Sequence, residues 1–403
     1  MAKRSREDID VDELINSINL DKGLRAGLLE LTADELAALL ADFANSANLP
    51  TAAFKKARLG LPSFSTVKWA EFAEEYGLPL NPSYLGLEPF TTPRYRLPPS
   101  LHETMFENAW RWQDVYREKV DQGREEGKAR LLEPYIVPII ALFQGRVIDE
   151  PEQAVVATKY STGGDVEHEI FMIGGILFLV IEFKVGTPSH NNLAQLFLEL
   201  LSAAERNNRL NFAGLRVYGL FTDLTQFKFY SYNPTSKEFC QDENILINNK
   251  RTAAFSDMID VSNKIFGVIL TAYMDGLREI IRRSKDRARQ NEFHIIGITD
   301  PSKLTGEEKK TGSRKSTDQW EAALVLAERC VDKFNEPIVS IQDIEARANG
   351  ALELLTKSVC SIPRASSFSG DKDPSTPTEL SALAVAVIKA EHEHYLSTIN
   401  IND

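Results

Sequence analysis

The stretch DVEHEIFMIGGILFLVIEFK, residues 165–184, decides the fold of this chain. It holds two runs rich in β-branched and aromatic residues, 166–173 and 176–184, separated only by Gly174-Gly175. Such runs around a Gly-Gly pair predict a β-hairpin with a two-residue turn. In the second run Ile176 to Ile181 are all apolar, as in a strand covered on both faces. With Gly174-Gly175 as the turn, Ile173 faces Ile176, Glu167 faces Glu182 and Asp165 faces Lys184. Side chains alternate along a strand, and cross-strand partners share a face. Asp165, Glu167 and Glu169 therefore lie on one face with Glu182 and Lys184, at one end of the hairpin. The other end is apolar on both faces and reads as core.

Working outward, AVVATKY (154–160) reads as a strand before the hairpin, and NNLAQLFLELLSAAERN (191–207) as a helix after it. LRVYGLFTD (215–223) and FKFYSYN (227–233) read as two more strands. Upstream, Leu101–Lys128 reads as one long helix, followed by a second apolar segment, Leu131–Phe143. The order helix, three strands, helix, two strands predicts a layered α/β domain of mixed α+β character over 101–290. Residues 1–100 read as a helical N-terminal extension and a connector. Leu24, Leu28 and Leu31, then Leu36, Leu39, Leu40 and Phe43, recur at helical spacing. Thr32 and Glu35 have capping-box spacing. Pro79, Pro82, Pro89, Pro93, Pro98 and Pro99 then predict an extended segment running over a surface. Ser256–Arg289 reads as a helix with a basic end. Residues 291–403 read as a helical C-terminal region with polar linkers at 301–318 and 364–378.

Composition narrows the function classes. The 403 residues carry a formal charge of −12, so overall charge does not hold the chain to nucleic acid or an anionic membrane. Any phosphate-binding surface must be a local basic patch. The three cysteines, Cys240, Cys330 and Cys360, form no CxxC pair, which predicts neither a disulfide framework nor a cysteine-rich zinc site. A reducing compartment, nucleus or cytoplasm, is the expectation. Lys3, Arg4 and Arg6 form a basic cluster of the kind that serves as a nuclear import signal or as a solvated chain end. No apolar run reaches the ~20 residues of a membrane helix, so no membrane partner is expected.

Carboxylates crowded on adjacent strands are expensive as bare charge. Solvent exposure of the strand ends relieves that cost, and so does a hard divalent cation such as Mg²⁺, which takes oxygen ligands. The unbroken run before Glu182 favours the cation.

Asp165 followed by Glu182-Phe183-Lys184, an ExK triplet at a strand end, resembles the PD-(D/E)XK nuclease superfamily. Gln195 in LAQLFLELLSAAERN extends the resemblance, and that phrase is similar to predicted fungal members. The resemblance covers about 130–235. Asp165 follows Gly163-Gly164 where members carry a proline, which leaves Asp165 and Glu167 as alternative first ligands. The resemblance implies a restriction-endonuclease-like core, a central mixed sheet flanked by helices. It further implies Mg²⁺- or Mn²⁺-dependent hydrolysis of phosphodiester bonds, with DNA preferred to RNA. Asp165 and Glu182 would hold the metal, with the Phe183 backbone carbonyl as a third ligand. Lys184 would orient the attacking water or stabilise the transition state, and Gln195 would hold the water or Lys184. Glu133, on the first core helix, is the candidate accessory acid. The basic run Arg282, Arg283, Lys285, Arg287 and Arg289 is the candidate for phosphate contacts. The rival reading is a non-catalytic effector that kept the fold and binds nucleic acid or protein. The helical extensions offer surfaces for a second copy or another protein.

Overall fold

A computed structural model describes residues 61–155, 157–172, 175–184, 189–296, 307–338, 340–362 and 377–399. Its centre is a mixed seven-stranded sheet. Strands β2 (Val147–Val155), β3 (Gly164–Met172) and β4 (Ile176–Phe183) form an antiparallel meander. Helix α4 (His190–Arg209) then crosses to β5 (Val217–Thr222), which runs parallel to β4. Strands β6 (Gln226–Asn233) and β7 (Glu238–Leu246) continue antiparallel, and the two-residue β1 (Glu88–Pro89) pairs parallel with β7 at the edge. Every residue of β4 is buried, as an unbroken apolar run requires at the middle of a sheet covered on both faces.

Two helical layers provide that cover. On one face lie α4 and the short α1 (Trp69–Glu75), whose Trp69 and Phe72 pack on Phe197. On the other lie α3 (Glu125–Ala141) and the 46-residue α5 (Arg251–Ile296). Helix α2 (Pro99–Tyr116) packs on α3, while α6 (Glu307–Phe334) packs on α5 and on α7 (Ile341–Cys360). Small residues, Ala323, Ala327, Ala348 and Ala351, line the α6 and α7 faces buried in the core. Helix α8 (Pro377–Ile399) is exposed from Ser381 to Glu391. Among the described residues no helix is long and apolar enough to cross a membrane.

Several expectations change. The predicted register holds beside the site, where His168 pairs with Ile181 and Ile170 with Leu179. A bulge between Ile170 and Phe171 then shifts it, so Met172 rather than Ile173 opposes Ile176. The turn is therefore longer than Gly174-Gly175. The strand expected at 154–160 lies earlier, at Val147–Val155, and 157–160 are outside it. The single helix expected over 101–128 is two, because Arg117 adopts φ 72° and the chain turns before Glu125. The expected helix over 256–289 extends to Arg251–Ile296. The proline-rich connector is a surface segment only in its first part, where Leu80 and Tyr84 are exposed. Thr92, Tyr95 and Leu97 are buried, and the fully buried Lys264 donates to Thr92 O at 2.7 Å. A Cβ at Gly267 of α5 would lie 1.9 Å from Pro93 O, so glycine lets the connector seat against the helix. One hydrophobic core runs from Tyr95 to Ile362, joining the expected extensions to the central domain. The helical pattern at 24–43 and the basic cluster at Lys3–Arg6 lie outside the described residues; of the two polar linkers, 307–318 belongs to α6 and 377–378 to α8, and the rest lies outside the described residues.

Candidate functional site

Glu182 and Lys184 end β4 at the carboxyl edge of the sheet. Glu182 is fully buried and Lys184 nearly so. Strand alternation places both on one face, and the Lys184 ammonium is ion-paired with Glu182 Oε1. The same ammonium reaches Glu125 Oε1 at 3.2 Å. Glu125 lies in the first turn of α3, where a carboxylate is also favoured by the helix dipole. Continuing the observed register by one residue sets Glu167 opposite Glu182.

The fourth side of the cluster comes from α4. Ser189 caps this helix, with Asn192 returning its side chain to the Ser189 amide in a capping box. That fixes the rotation of the first turn and aims the next polar residues at the sheet. Gln195 Nε2 donates to Glu182 Oε1 at 2.6 Å and to Glu199 Oε1 at 3.0 Å. Gln195 and Glu199, one turn apart on α4, thus do not form a solvent-facing edge: α1 covers the outer side of α4 and these two point inward, while Asn192, on the same helical face, stays with the cap. Glu182 Oε2 and Glu199 Oε2 are buried without a hydrogen-bond partner.

Four carboxyl groups, Glu125, Glu167, Glu182 and Glu199, therefore surround one ammonium. Burial holds Glu182 above the ordinary carboxylate range, with Lys184 pulling it down and Glu125 pushing it up. Glu167 is raised by burial, then by Glu182 and Glu125. Glu199 is raised well above the ordinary range by burial and by Glu182. Burial alone would lower Lys184, but Glu182 and Glu125 outweigh it and its net shift is upward. Behind the site, Lys128 Nζ donates to Lys184 O at 3.1 Å and to Asp223 O at 3.0 Å, pinning the ends of β4 and the β5–β6 turn.

The sequence candidates fall in different places. Glu167, Glu182, Lys184 and Gln195 come together. Phe183 turns to the opposite face, with its ring 5.8 Å from His168, while its backbone stays in the β4–β5 ladder. Asp165 is exposed, and among the described residues no ion pair ties it to Lys184; Glu125 takes the place predicted for it. Gly163 at φ 84° explains why glycine precedes it: a Cβ there would lie 2.2 Å from Val155 O. Glu133 does not reach the cluster. It lies on the other face beside His168 and Asp149, and burial raises it. His168 bonds Asp149 at 2.9 Å on that face. Glu125 was missed from sequence, and Glu199 was visible there only as a polar residue on the same helical face as Gln195.

The basic run sits at the wrong end of the sheet. Arg283 stacks 4.0 Å over Phe212, whose amide is bonded to Asn207 O; Asn207 in turn brackets Leu177 at the start of β4. Glu182 lies five residues further on, roughly 17 Å along the strand. Arg282 is paired with Glu279 and Asp286, and Lys285 with Glu321. The side chains of Arg287 and Arg289 lie outside the described residues.

No protein-family model, curated protein or solved structure matches the chain. Among the described residues no three acidic, histidine or cysteine side chains form a ready-made cation cage.

Proposed function

We propose that this chain is a divalent-metal-dependent phosphodiesterase acting on DNA through Glu182, Lys184 and Gln195. The observation that carries the reading is the buried Glu182–Lys184 pair ringed by three further carboxyl groups. Ionised together, these carboxylates exceed their one counter-charge, so they must be relieved by bound protons or by added positive charge. A hard dication supplies it, and the unpartnered Glu182 Oε2 and the neighbouring Glu167 are donors of the type it takes. The donor set thus fits Mg²⁺ or Mn²⁺, with Glu182 and Glu167 holding it; the exposed Asp165 and the Phe183 carbonyl remain at the same strand ends. When bound, the metal would supply Lewis acidity towards water and phosphate.

The rest follows from the chain's own groups. Lys184 holds its ammonium at the same strand end, where it would face an anionic phosphate. Gln195 holds the Glu182 carboxylate in place with one N–H group. Glu125 keeps Lys184 protonated and limits its swing. The order helix, antiparallel meander, helix, parallel strand also supports a restriction-endonuclease-like core. One observation favours the non-catalytic reading: Lys184 lies on Glu182, and Asp165 stands apart.

Incubating the protein with plasmid, single-stranded DNA and RNA, with and without Mg²⁺ or Mn²⁺, separates the two. Metal-dependent cleavage of DNA, abolished in Glu182→Gln and Lys184→Ala, is the expected result. Nucleic-acid binding without cleavage under every metal condition would favour the effector. Cleavage retained by both variants would place any activity elsewhere.

A further inference from the structure

A cavity of about 1070 Å³ opens between Arg94–Pro99, α2, the start of α5 and the first turn of α7. None of its walls belongs to the Glu182 cluster. Its size is that of a small-molecule site, and its lining is mainly apolar, the usual character of such sites. One wall is aromatic. Phe106 stacks on Phe255 with ring centres 4.6 Å apart, and Trp110 leans on Phe255 at 6.0 Å. Trp110 remains 40 % exposed, a large apolar surface left open to the cavity mouth.

The charges around the cavity are mostly spent. Arg94 is paired with Glu243 and, at 3.1 Å, with Asp260. Arg111 is paired with Glu107 at 3.0 Å. Arg96 and Glu103 line the same cavity, are exposed, and have no ion pair among the described residues. One cation and one anion are thus left to a ligand. His102 lines the cavity as well; it is 6 % exposed and lies beside Asn263, and neither ring nitrogen makes a well-formed hydrogen bond. Its neighbour Asn263 has its carbonyl oxygen occupied by Leu97 N at 2.9 Å. A buried imidazole whose nitrogens lack well-formed hydrogen bonds is costly, and a polar group entering the cavity would relieve it.

We propose that this cavity binds an aromatic zwitterion, an amino acid or dipeptide, with its carboxylate on Arg96, its ammonium on Glu103 and its ring against Phe106, Phe255 and Trp110. His102 provides one further hydrogen bond to the polar end. The ligand satisfies both unspent charges at once, which a simple anion or cation does not.

Calorimetric titration of the full chain tests this with four probes: phenylalanine, phenylalanyl-phenylalanine, phenylpropanoate, which lacks the ammonium, and phenethylamine, which lacks the carboxylate. At least one zwitterion should bind more tightly than both singly charged probes, and the stronger of the two zwitterions distinguishes amino acid from dipeptide. Arg96→Gln should weaken that zwitterion roughly fivefold, the scale of an exposed ion pair, and leave phenethylamine unchanged. Glu103→Gln should do the same while sparing phenylpropanoate. His102→Phe should weaken binding without lowering the melting temperature, because a structural histidine would cost stability and an unpartnered one does not. No heat from either zwitterion at millimolar concentration would overturn the proposal. So would equal affinity for all four probes, or zwitterion binding untouched by both charge variants. None of these readouts depends on phosphodiester cleavage.

Discussion

Replacing Glu182 by glutamine tests the electrostatics of the site before any substrate is known. Glu182 has no exposed surface and is pushed up to about 7 from an ordinary value of 4.5. Ionising it in the folded state above that range therefore costs on the order of 3 kcal/mol. Between those values the folded protein holds a proton that the unfolded chain has released, so wild-type stability falls as pH rises through this window. Glutamine has no proton to lose. It keeps an acceptor for Gln195 Nε2 and for Lys184 but gives up a charge-assisted bond, which offsets part of the gain. The variant should match the wild type at about pH 5 and exceed it by on the order of 1–3 kcal/mol at about pH 8. Urea unfolding followed by tryptophan fluorescence at the two pH values measures this directly. A variant less stable than wild type by the same amount at both values would refute the reasoning. Glu182 would then be a structural counter-charge for Lys184, and the crowding of carboxylates would not be under strain.

Much of this site was legible because two periodicities intersect in it. Strand alternation fixed that Glu167, Glu182 and Lys184 share a face, and the apolar run fixed that the face is buried. The bulge at Ile170/Phe171 left no trace, since residues there are apolar on both sides and a one-residue slip changes no hydrophobic pattern. Glu125 was hidden by the reading of 101–128 as one helix. The break is marked by Gly123 and by the paired first-turn acids Glu125 and Glu126, a helix-start signal. Glu133 lies eight residues further along the same helix, about 12 Å up its axis and turned to the other sheet face. Glu199 was visible as a polar residue in line with Gln195. Its burial was not, because that depends on α1 covering the outer side of α4 from more than a hundred residues away in sequence. Strand β7 reads as polar, EFCQDENIL, because only the two-residue β1 shields it at the sheet edge. Its Asp242 and Glu243 serve the buried Lys264 instead of a solvent face.

Gly267→Ala should destabilise the protein by about 1–3 kcal/mol or more, read by urea unfolding, because a Cβ 1.9 Å from Pro93 O forces the connector off α5. Millimolar Mg²⁺ should raise the melting temperature of the wild type and not of Glu182→Gln, with a gain near 2.7 kcal/mol at a hundredfold excess over Kd. An equal shift in both proteins would move the cation away from Glu182. The last prediction concerns the basic end of α5, which is roughly 17 Å from Glu182 along β4. Neutralising Arg282, Arg283, Arg287 and Arg289 together should leave cleavage of a very short oligonucleotide unchanged, because such a substrate cannot span the sheet. For long duplex DNA the same variant should lower the slope of log affinity against log salt by about one or two contacts, at ~0.9 per phosphate. The loss is small because Arg282 already bonds Glu279 and Asp286, and Arg283 is committed to Phe212. A filter-binding titration across salt concentrations, run beside the short-substrate assay, measures both. Loss of short-substrate cleavage in this variant would mean that the basic end acts at the catalytic cluster after all, against the geometry that separates them. An unchanged slope on long DNA would return the segment to a helix end whose cations serve only its own acidic neighbours.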